Sequence, residues 1–312
     1  MHISLEEGLE RCEAYLPAMK RFSHEWFSRL DGFALYKISR KEVLTPDAIL
    51  LEVEAPEIAK KCKPGQFIIL RIDEPGERIP LSLADYDPKK GTITTIFLAT
   101  GKTTQKLASM NEGGAIENVV GPLGTSSDID HFGHVVLCGG GLGIAPLYPI
   151  GKALKKAGDK ITVIIGARSK NLLFYEDELK SVSDQLYVTT DDGTKGKKGF
   201  VTDQLQDLLI REKIDRVVAI GPAIMMKSVA DTTRPYGVRT MVSLNSIMVD
   251  GTGMCGACRV EVGGKTKFTC VDGPEFDAHL VDLGLLMKRL NMYLPEEKRA
   301  KELYSKTVVG AR

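Results

Sequence analysis

The sequence carries almost no excess charge and few aromatic residues. Its 42 Lys and Arg side chains are balanced by 41 Asp and Glu, so that the formal net charge is +1 over 312 residues, and aromatic residues make up only 6%. Proteins that hold nucleic acid or anionic membranes by electrostatics need an excess or a stripe of basic residues. The composition therefore argues against both classes, and we expect no nucleic acid partner. With 43% hydrophobic and 27% charged residues, the chain is globular.

Long hydrophobic runs are also missing. The best candidate, the uncharged run from Val135 to Gly151, contains five Gly and two Pro, which makes it a poor membrane-spanning helix. The N-terminal residues are acidic and mixed from residue 6 onward, unlike a signal peptide. We therefore expect no membrane span and a cytoplasmic location.

Cysteine is sparse but unevenly placed. Three of the six Cys residues, Cys255, Cys258 and Cys270, fall within sixteen residues. In a chain without an export signal, such a group more often binds a metal than forms disulfides.

Five segments follow one another along the chain. Residues 1–32 are a predicted helical extension, interpreted either as an arm packed on its own protein or as a docking element for a partner. Residues 33–130 contain short β-branched and aromatic runs between turn signals, which predict an antiparallel β-barrel or sandwich. Residues 131–245 alternate apolar strands with helical segments, which predicts a doubly wound parallel sheet. Residues 246–281 are a small Gly-rich lobe with the three Cys, and residues 282–312 are a charged helical tail.

A Gly-rich turn follows the first predicted parallel strand. Glycines let the backbone approach a ligand closely, and the free N–H groups of the following helix favour a pyrophosphate. A tight turn needed only for packing is the alternative, since Pro146 stands where the usual fingerprint has its third Gly. The candidate nucleotide-binding residues here are Gly139, Gly140, Gly141, Gly143, Ala145 and Pro146.

Two further turns lie at the carboxyl ends of predicted strands, where such sheets bind ligands. Arg168 and Ser169 are candidates for contact with an adenosine ribose or its 2′-phosphate, although Ser169 also suits an ordinary helix cap. Gly221 and Pro222 form the second of these turns.

Two polar segments in the barrel region suit a phosphate or a ring system. The first is Arg-Ile-Pro-Leu-Ser at 78–82, in which the Arg fork pairs with phosphate and the Ser hydroxyl reaches a ring nitrogen. The second is Gly-Lys-Thr-Thr at 101–104, which offers backbone amides and hydroxyls. Each segment alone is only a polar turn beside a strand, but the pair upstream of a nucleotide-binding sheet is more informative.

These motifs, in this order, resemble those of the ferredoxin–NADP reductase superfamily. The resemblance covers about residues 33–281 and rests also on Pro-Gly-Gln-Phe (64–67), Gly-Pro-Leu-Gly (121–124), Gly-Ala-Arg-Ser (166–169) and Gly-Pro-Ala-Ile-Met-Met (221–226). It implies an FAD-binding β-barrel followed by a domain that binds NAD(H) or NADP(H).

The resemblance also implies roles for individual residues. It places Arg78 on the FAD pyrophosphate and Ser82 near the reacting flavin nitrogen, as the catalytic residue. The residues that it assigns to FAD are Arg78, Pro80, Leu81, Ser82, Phe97, Leu98, Gly101, Lys102, Thr103 and Thr104. The Gly-rich turn, Arg168, Ser169, Gly221 and Pro222 are assigned to the pyridine nucleotide.

The three clustered Cys predict a soft metal centre. A [2Fe–2S] cluster needs a fourth ligand, and the plant-type spacing puts it five residues before Cys255, at Asp250. His279 is a competing candidate, and a structural zinc site with three Cys plus Asp or His is the main metal alternative.

A cysteine cluster behind a flavin reductase narrows the resemblance. The sequence is similar to the small subunits of NADH-dependent ferredoxin:NADP oxidoreductases and sulfide dehydrogenases, which carry Asp plus three Cys, and less so to electron-transfer subunits of dihydroorotate dehydrogenase, which use four Cys. This implies hydride exchange between NAD(P)H and FAD, and single electrons relayed through the cluster to a larger flavin and iron–sulfur partner. Ferredoxin would be reached through that partner, and some members bifurcate electrons. Two features depart from the family: the extension at 1–32, and Ile220, where relatives often have Cys.

Two questions stay open at the level of sequence. Arg168 suits the 2′-phosphate of NADPH, whereas Asp191 and Asp192 disfavour it, and the resemblance favours NADH. A non-catalytic scaffold subunit with degenerate nucleotide sites and structural zinc is the alternative of a different class, and the intact Arg78 and Ser82 argue against it.

Overall fold

The structure, a computed structural model, describes residues 35–74 and 76–310, with side chains as far as residue 306. The predicted helical extension at 1–32 lies outside the described residues. Within the described part, no helix is both long and apolar enough to cross a bilayer.

Seven antiparallel strands form the first sheet. They run in the order β6-β1-β2-β5-β4-β3-β7. Because the two edge strands β6 and β7 are separated in sequence only by Glu117, the sheet curls on itself into a nearly closed barrel. The elements are β1 (Tyr36–Val43), β2 (Ala48–Glu54), α1 (Pro56–Ala59), β3 (Phe67–Arg71), β4 (Ile79–Asp87), β5 (Thr92–Leu98), α2 (Lys102–Ser109), β6 (Ala115–Ile116) and β7 (Asn118–Leu123).

The barrel is filled by aliphatic side chains from every layer. Leu51, Leu70 and Leu83 are at most 1% exposed, and Leu107 brings the apolar face of α2 into the same core. Burial of apolar area on this scale is the main source of stability of the barrel.

Six parallel strands form the second sheet, in the order β11-β10-β9-β8-β12-β13. The chain moves outward from β8 through β9 to β10 and then returns to the other side of β8, so the strand order reverses between β8 and β12. Such a switch point opens a crevice at the carboxyl ends of the strands. The elements are β8 (His134–Gly140), α3 (Leu147–Lys156), β9 (Lys160–Ala167), α4 (Glu176–Val182), β10 (Gln185–Thr190), β11 (Lys197–Lys198), α5 (Val201–Arg211), β12 (Arg216–Ile220), α6 (Ala223–Thr233) and β13 (Arg239–Ser243).

The C-terminal segment adds a hairpin, one strand and three helices. Its elements are β14 (Arg259–Val262), β15 (Lys265–Phe268), α7 (Thr269–Asp272), β16 (Glu275–Asp277), α8 (Leu283–Leu290) and α9 (Leu294–Gly310). Strand β16 pairs antiparallel with β13 and so completes the second sheet. The fold class predicted from the sequence, a barrel followed by a doubly wound parallel sheet and a small cysteine-bearing lobe, is confirmed.

A small apolar cluster joins the cysteine-bearing lobe to the barrel. Phe67 and Ile69 of β3 pack with Met248, Cys258 and Cys270, all of them buried. The two buried cysteines therefore lie against a barrel strand.

Candidate functional site

The Gly-rich turn leaves β8 and leads through a short 3-10 turn (Gly141–Ile144) into α3. A Cβ atom at Gly143 would overlap the carbonyl oxygen of Ile220 at the end of β12, and one at Gly139 would come within 2.6 Å of the Leu147 side chain. Gly141 has a φ of +54°, and nothing lies within 4 Å of its Cβ position. Gly139 and Gly143 thus serve close packing, whereas Gly141 leaves the backbone open.

A cleft of about 600 Å³, called here the main cleft, lies at the carboxyl edge of the parallel sheet. Its walls are mostly apolar and come from both sheets. They are formed by Thr45, Asp47, Ala48, Leu98, Gly140, Gly141, Leu142, Gly166, Ala167, Arg168, Leu172, Phe174, Thr189, Asp191, Phe200, Val201, Thr202, Pro222, Ile224, Met225 and Ser228.

Some of the residues predicted to bind the nucleotide lie in the main cleft and others do not line it. Gly140, Gly141, Arg168 and Pro222 line it. Ser169 precedes a short 3-10 helix, and its hydroxyl donates to Asn171 Oδ1 at 2.6 Å.

The remaining residues of this set belong to the surrounding packing. Ala145 and Pro146 are buried behind the Gly-rich turn. A Cβ atom at Gly221 would lie 2.9 Å from the side chain of Met225, the residue that also closes over Gly140. These residues support the cleft from behind.

The Arg-Ile-Pro-Leu-Ser segment begins just before β4 and continues along it. Arg78 and Ser82 are exposed, Pro80 is half-buried, and Leu81 points into the barrel core. Because successive strand residues face opposite sides, Ser82 turns outward while Leu81 turns inward.

The alternation along β5 separates two residues that the sequence predicted together. Leu98 lines the main cleft. Phe97 is 1% exposed and packs in the barrel core. Only the Leu98 side chain is in a position to contact a ligand in that cleft.

The Gly-Lys-Thr-Thr segment is the N-terminus of α2 and not a simple turn. Gly101 is the cap, and its N–H donates to Thr104 Oγ1 at 2.9 Å. The Thr103 hydroxyl donates to Glu77, and Lys102 Nζ lies 3.4 Å from the same carboxylate. The helix end therefore already attracts an anionic group, as a phosphate site requires.

The cysteine loop (residues 250–258) and α7 bring two of the three thiols together. The sulfur atoms of Cys258 and Cys270 are 3.2 Å apart, and both residues are buried. Burial raises the pKa of Cys270 to about 12. Cys255 is exposed, and the backbone N–H groups of Ala257 and Asp250 lower the pKa of its thiol.

Asp250, the predicted fourth ligand, is held by local hydrogen bonds. The hydroxyl and the N–H of Thr252 donate to its Oδ2, the latter at 3.1 Å, and Arg78 Nη1 lies 4.0 Å from its Oδ1. The Thr252 hydroxyl and amide, assisted by Arg78, lower the pKa of this carboxyl.

Across residues 35–74 and 76–310, no three His, Cys, Asp or Glu side chains are gathered as a metal centre. The structure thus joins Cys258 and Cys270 but does not draw all four predicted ligands together. His279, the competing candidate, shares a hydrogen bond of 3.1 Å with the Thr233 hydroxyl on α6. Two thiols and a carboxylate on the Gly-rich loop, with the Cys270 thiol on α7, nevertheless fit an iron–sulfur cluster in donor chemistry.

Sequence reasoning missed several walls of the main cleft. Phe200 and Ile224 are 62% and 60% exposed, and Thr45 and Asp47 come from the turn between β1 and β2. No local motif marks these residues, because their place in the cleft depends on how the barrel packs on the parallel sheet.

Two family models match the chain. Residues 137–231 match the oxidoreductase NAD-binding domain, and residues 245–282 match the iron–sulfur cluster binding domain of dihydroorotate dehydrogenase B. The fold and the main cleft therefore define a pyridine-nucleotide-binding oxidoreductase with an iron–sulfur domain.

Individual relatives agree with these models. The chain is 49% identical over 278 residues to a homolog of the dihydroorotate dehydrogenase B (NAD⁺) electron-transfer subunit from Thermotoga maritima, covering 89% of this chain and 98% of the relative. It is 35% identical over 235 residues to that electron-transfer subunit in Fusobacterium nucleatum, covering 72% and 89%. A solved structure of the NADH-dependent reduced ferredoxin–NADP oxidoreductase, from work on flavin-based electron bifurcation, matches with a TM-score of 0.83 and 49% identity, covering 87% and 98%. The chain belongs to the family of dihydroorotate dehydrogenase B electron-transfer subunits and their homologues.

Proposed function

We propose that the chain is the electron-transfer subunit of a multi-subunit oxidoreductase of the NADH-dependent ferredoxin:NADP type. One observation carries the proposal: Leu98 of the barrel and the Gly-rich turn of the parallel sheet face the same cleft, while the buried cysteines pack on β3 of that barrel. The candidate nucleotide site and the candidate metal-binding cysteine loop thus both adjoin the barrel. A relay of electrons from one to the other requires this proximity.

The main cleft is the proposed site of the pyridine nucleotide. Gly141 offers an open backbone to the pyrophosphate at the switch point of the sheet, and Gly140 lines the cleft beside it. Arg168 and Pro222 bound the same cleft, and Ser169, Gly139, Gly143, Ala145, Pro146 and Gly221 shape it from behind. Ser82 and Arg78 lie on the outer side of the barrel, where we propose that FAD binds.

The barrel residues fit FAD in their chemistry. Arg78 and the α2 N-terminus, from Gly101 to Thr104, supply the cation, amides and hydroxyls that a pyrophosphate needs. Glu77 accepts from the Thr103 hydroxyl and lies 3.4 Å from Lys102 Nζ. When bound, FAD supplies exchange of a hydride on one side and of single electrons on the other. The protein's part is to hold the nicotinamide beside Leu98 and to offer the Ser82 hydroxyl as a hydrogen-bond partner.

Asp250, Cys255, Cys258 and Cys270 are the proposed ligands of a [2Fe–2S] cluster. The amide N–H groups that lower the pKa of Cys255 also favour a thiolate there. The match of residues 245–282 to an iron–sulfur cluster domain supports this set.

The proposed partner is a larger flavin and iron–sulfur subunit that receives the electrons, and ferredoxin is reached through it. The solved relative is described as an electron-bifurcating oxidoreductase, and we extend that class of complex to this chain, with a cytoplasmic location. The alternative function is the electron-transfer subunit of dihydroorotate dehydrogenase itself. The presence of Asp250 in place of a Cys argues against it.

The proposed domains are the FAD domain at 33–130, the nucleotide domain at 131–245 and the cluster domain at 246–281, with 282–312 as the tail.

The test is an assay of flavin, iron, acid-labile sulfide and zinc on one anaerobic preparation. We expect one FAD, two iron and two sulfide per chain. Zinc without flavin would instead identify a scaffold subunit on a reductase fold and would overturn the proposal.

A further inference from the structure

Two adjacent carboxylates follow β10 and differ in their surroundings. Asp192 Oδ1 accepts hydrogen bonds from the N–H and the hydroxyl of Thr194, at 2.9 and 2.7 Å. Asp191 lines the main cleft, and within the described part of the chain its carboxylate has no hydrogen bond or ion pair. Of the two neighbours, only Asp191 lines the cleft, and its carboxylate is unpaired among the described residues.

The charges that line the main cleft do not favour an additional phosphate. Arg168 is the one cation in its lining, against the carboxylates of Asp47 and Asp191. The nearby Lys195 and Lys197 are paired with Glu176 and Asp207, at 2.7 and 2.6 Å. Among the residues that line the main cleft, only Arg168 therefore offsets the negative charge of Asp191.

The two ends of the main cleft differ in chemistry. The barrel end, with Leu98 and Asp47, is nearest to the proposed flavin site, so the nicotinamide belongs there. The other end lies at β9 and β10, where Arg168 and Asp191 stand. Phe200 and Ile224, at the starts of α5 and α6, expose apolar surface into the cleft; an adenine base would cover it.

We propose that Asp191 is the residue that sets the specificity for NADH over NADPH. This inference rests on the proposed function. The Asp191 carboxylate accepts hydrogen bonds from the ribose hydroxyls of the adenosine half of NADH and repels the 2′-phosphate of NADPH. Like charges brought together at a partly desolvated site are disfavoured, and a single Arg168 does not compensate a dianionic group beside a carboxylate.

The experiment compares Asp191→Asn with its neighbour Asp192→Asn, a control of equal charge change outside the cleft. Dissociation constants of NADH and NADPH are measured on the full-length protein by fluorescence. We expect the parent to bind NADH more tightly than NADPH. Asp191→Asn should reduce the ratio of the NADPH and NADH dissociation constants by about tenfold, whereas Asp192→Asn should leave this ratio unchanged. Asp191→Ser, which shortens the side chain, should narrow it as well.

A second readout needs neither flavin nor cluster chemistry. Competition by 5′-AMP and by 2′,5′-ADP reports the adenosine end alone, and Asp191→Asn should improve binding of 2′,5′-ADP selectively. Equal ratios in the Asp191 and Asp192 variants, or a parent that prefers NADPH, would overturn the inference while leaving the proposed function intact. Failure of both nucleotides and both fragments to bind the parent would overturn the proposed function as well.

Discussion

The sulfur atoms of Cys258 and Cys270 lie 3.2 Å apart, although the residues are twelve positions apart in the sequence. They meet because the β14–β15 hairpin folds back and α7 begins directly after it. In the proposed ligand set, these two buried thiols are the inner half, and the more exposed Cys255 and Asp250 are the outer half.

Replacing one inner ligand tests this arrangement. Cys258→Ser should lose most of the bound iron and sulfide, because a hydroxyl is a poor substitute for a thiolate toward iron. Cys62→Ser is the control, since Cys62 is also a buried cysteine but lies in the barrel core, away from the cysteine loop. Iron, sulfide and visible absorption are measured on both. Full iron content in Cys258→Ser would contradict the proposed ligand set.

Variants of the neighbouring β5 residues Phe97 and Leu98 should distinguish a role in protein stability from a role in nucleotide chemistry. Phe97→Ala empties a place in the barrel core and should cost about 3–5 kcal/mol in the free energy of unfolding. Leu98→Ala, on the cleft side and only partly buried, should lower the denaturation midpoint less than Phe97→Ala but slow reduction of bound flavin by NADH. Urea denaturation and stopped-flow absorbance measure the two effects, and a slow reduction in a stable Phe97 variant would reverse the assignment.

At the residue scale, the sequence shows short local motifs but not the placements that depend on tertiary geometry. The Cys spacing and the Gly-rich turn were readable because both motifs are short. Phe97 was assigned to FAD with Leu98, and the two-residue alternation of a strand puts its side chain in the core instead. Phe200 and Asp47 could not be found, since each reaches the main cleft only through tertiary packing.

At the scale of elements, the long strands were predictable and the capped helix was not. Short apolar runs in the sequence matched β2 and β8, among others. The helix α2 was read as a polar turn, because its cap is Gly101 with Thr104 and lacks the usual Ser or Thr followed by Glu. Strand β16 was also missed: it has only three residues, and its pairing with β13 depends on the folding of the cysteine-bearing lobe.

The Gly-rich turn offers a prediction at this scale. Gly143→Ala would force the turn away from the end of β12, where a Cβ atom overlaps Ile220, and should destabilise the protein by roughly 2 kcal/mol while weakening nucleotide binding. Gly141→Ala has open space and only a backbone penalty of about 1 kcal/mol for its positive φ. Urea unfolding and nucleotide titration rank the two variants. A larger stability loss in Gly141→Ala would show that packing against β12 is not what the turn requires.

At the scale of the whole molecule, the segment that leaves the barrel after β7 links three parts of the chain. The N–H of Ser127 donates to Pro64 O of the barrel at 2.9 Å, and the N–H of Thr125 donates to Gly273 O beside the cysteine-bearing lobe at 2.6 Å. The Ser127 hydroxyl donates to Glu275 on β16. These hydrogen bonds around Glu275 therefore link the barrel, the lobe and the second sheet, in addition to the apolar packing between them.

The protonation of Glu275 should make this junction depend on pH. Burial raises the pKa of Glu275, although the Ser127 hydrogen bond and the charge of Arg216 oppose the rise and Asp128 adds to it. A carboxyl whose pKa is raised in the folded state stabilises the protein below its ordinary value of 4.5, and this contribution is lost as the pH rises through the folded-state pKa. Glu275→Gln removes the titration, so the melting temperature of the variant relative to the parent should increase between pH 5 and pH 8. Glu261→Gln changes an exposed Glu on β14 and is the control. Its melting temperature should differ from that of the parent by the same amount at both pH values. A difference for Glu275→Gln that is flat or falls with pH would mean that its carboxyl stays charged in the folded protein, held by Arg216 more strongly than burial disfavours it.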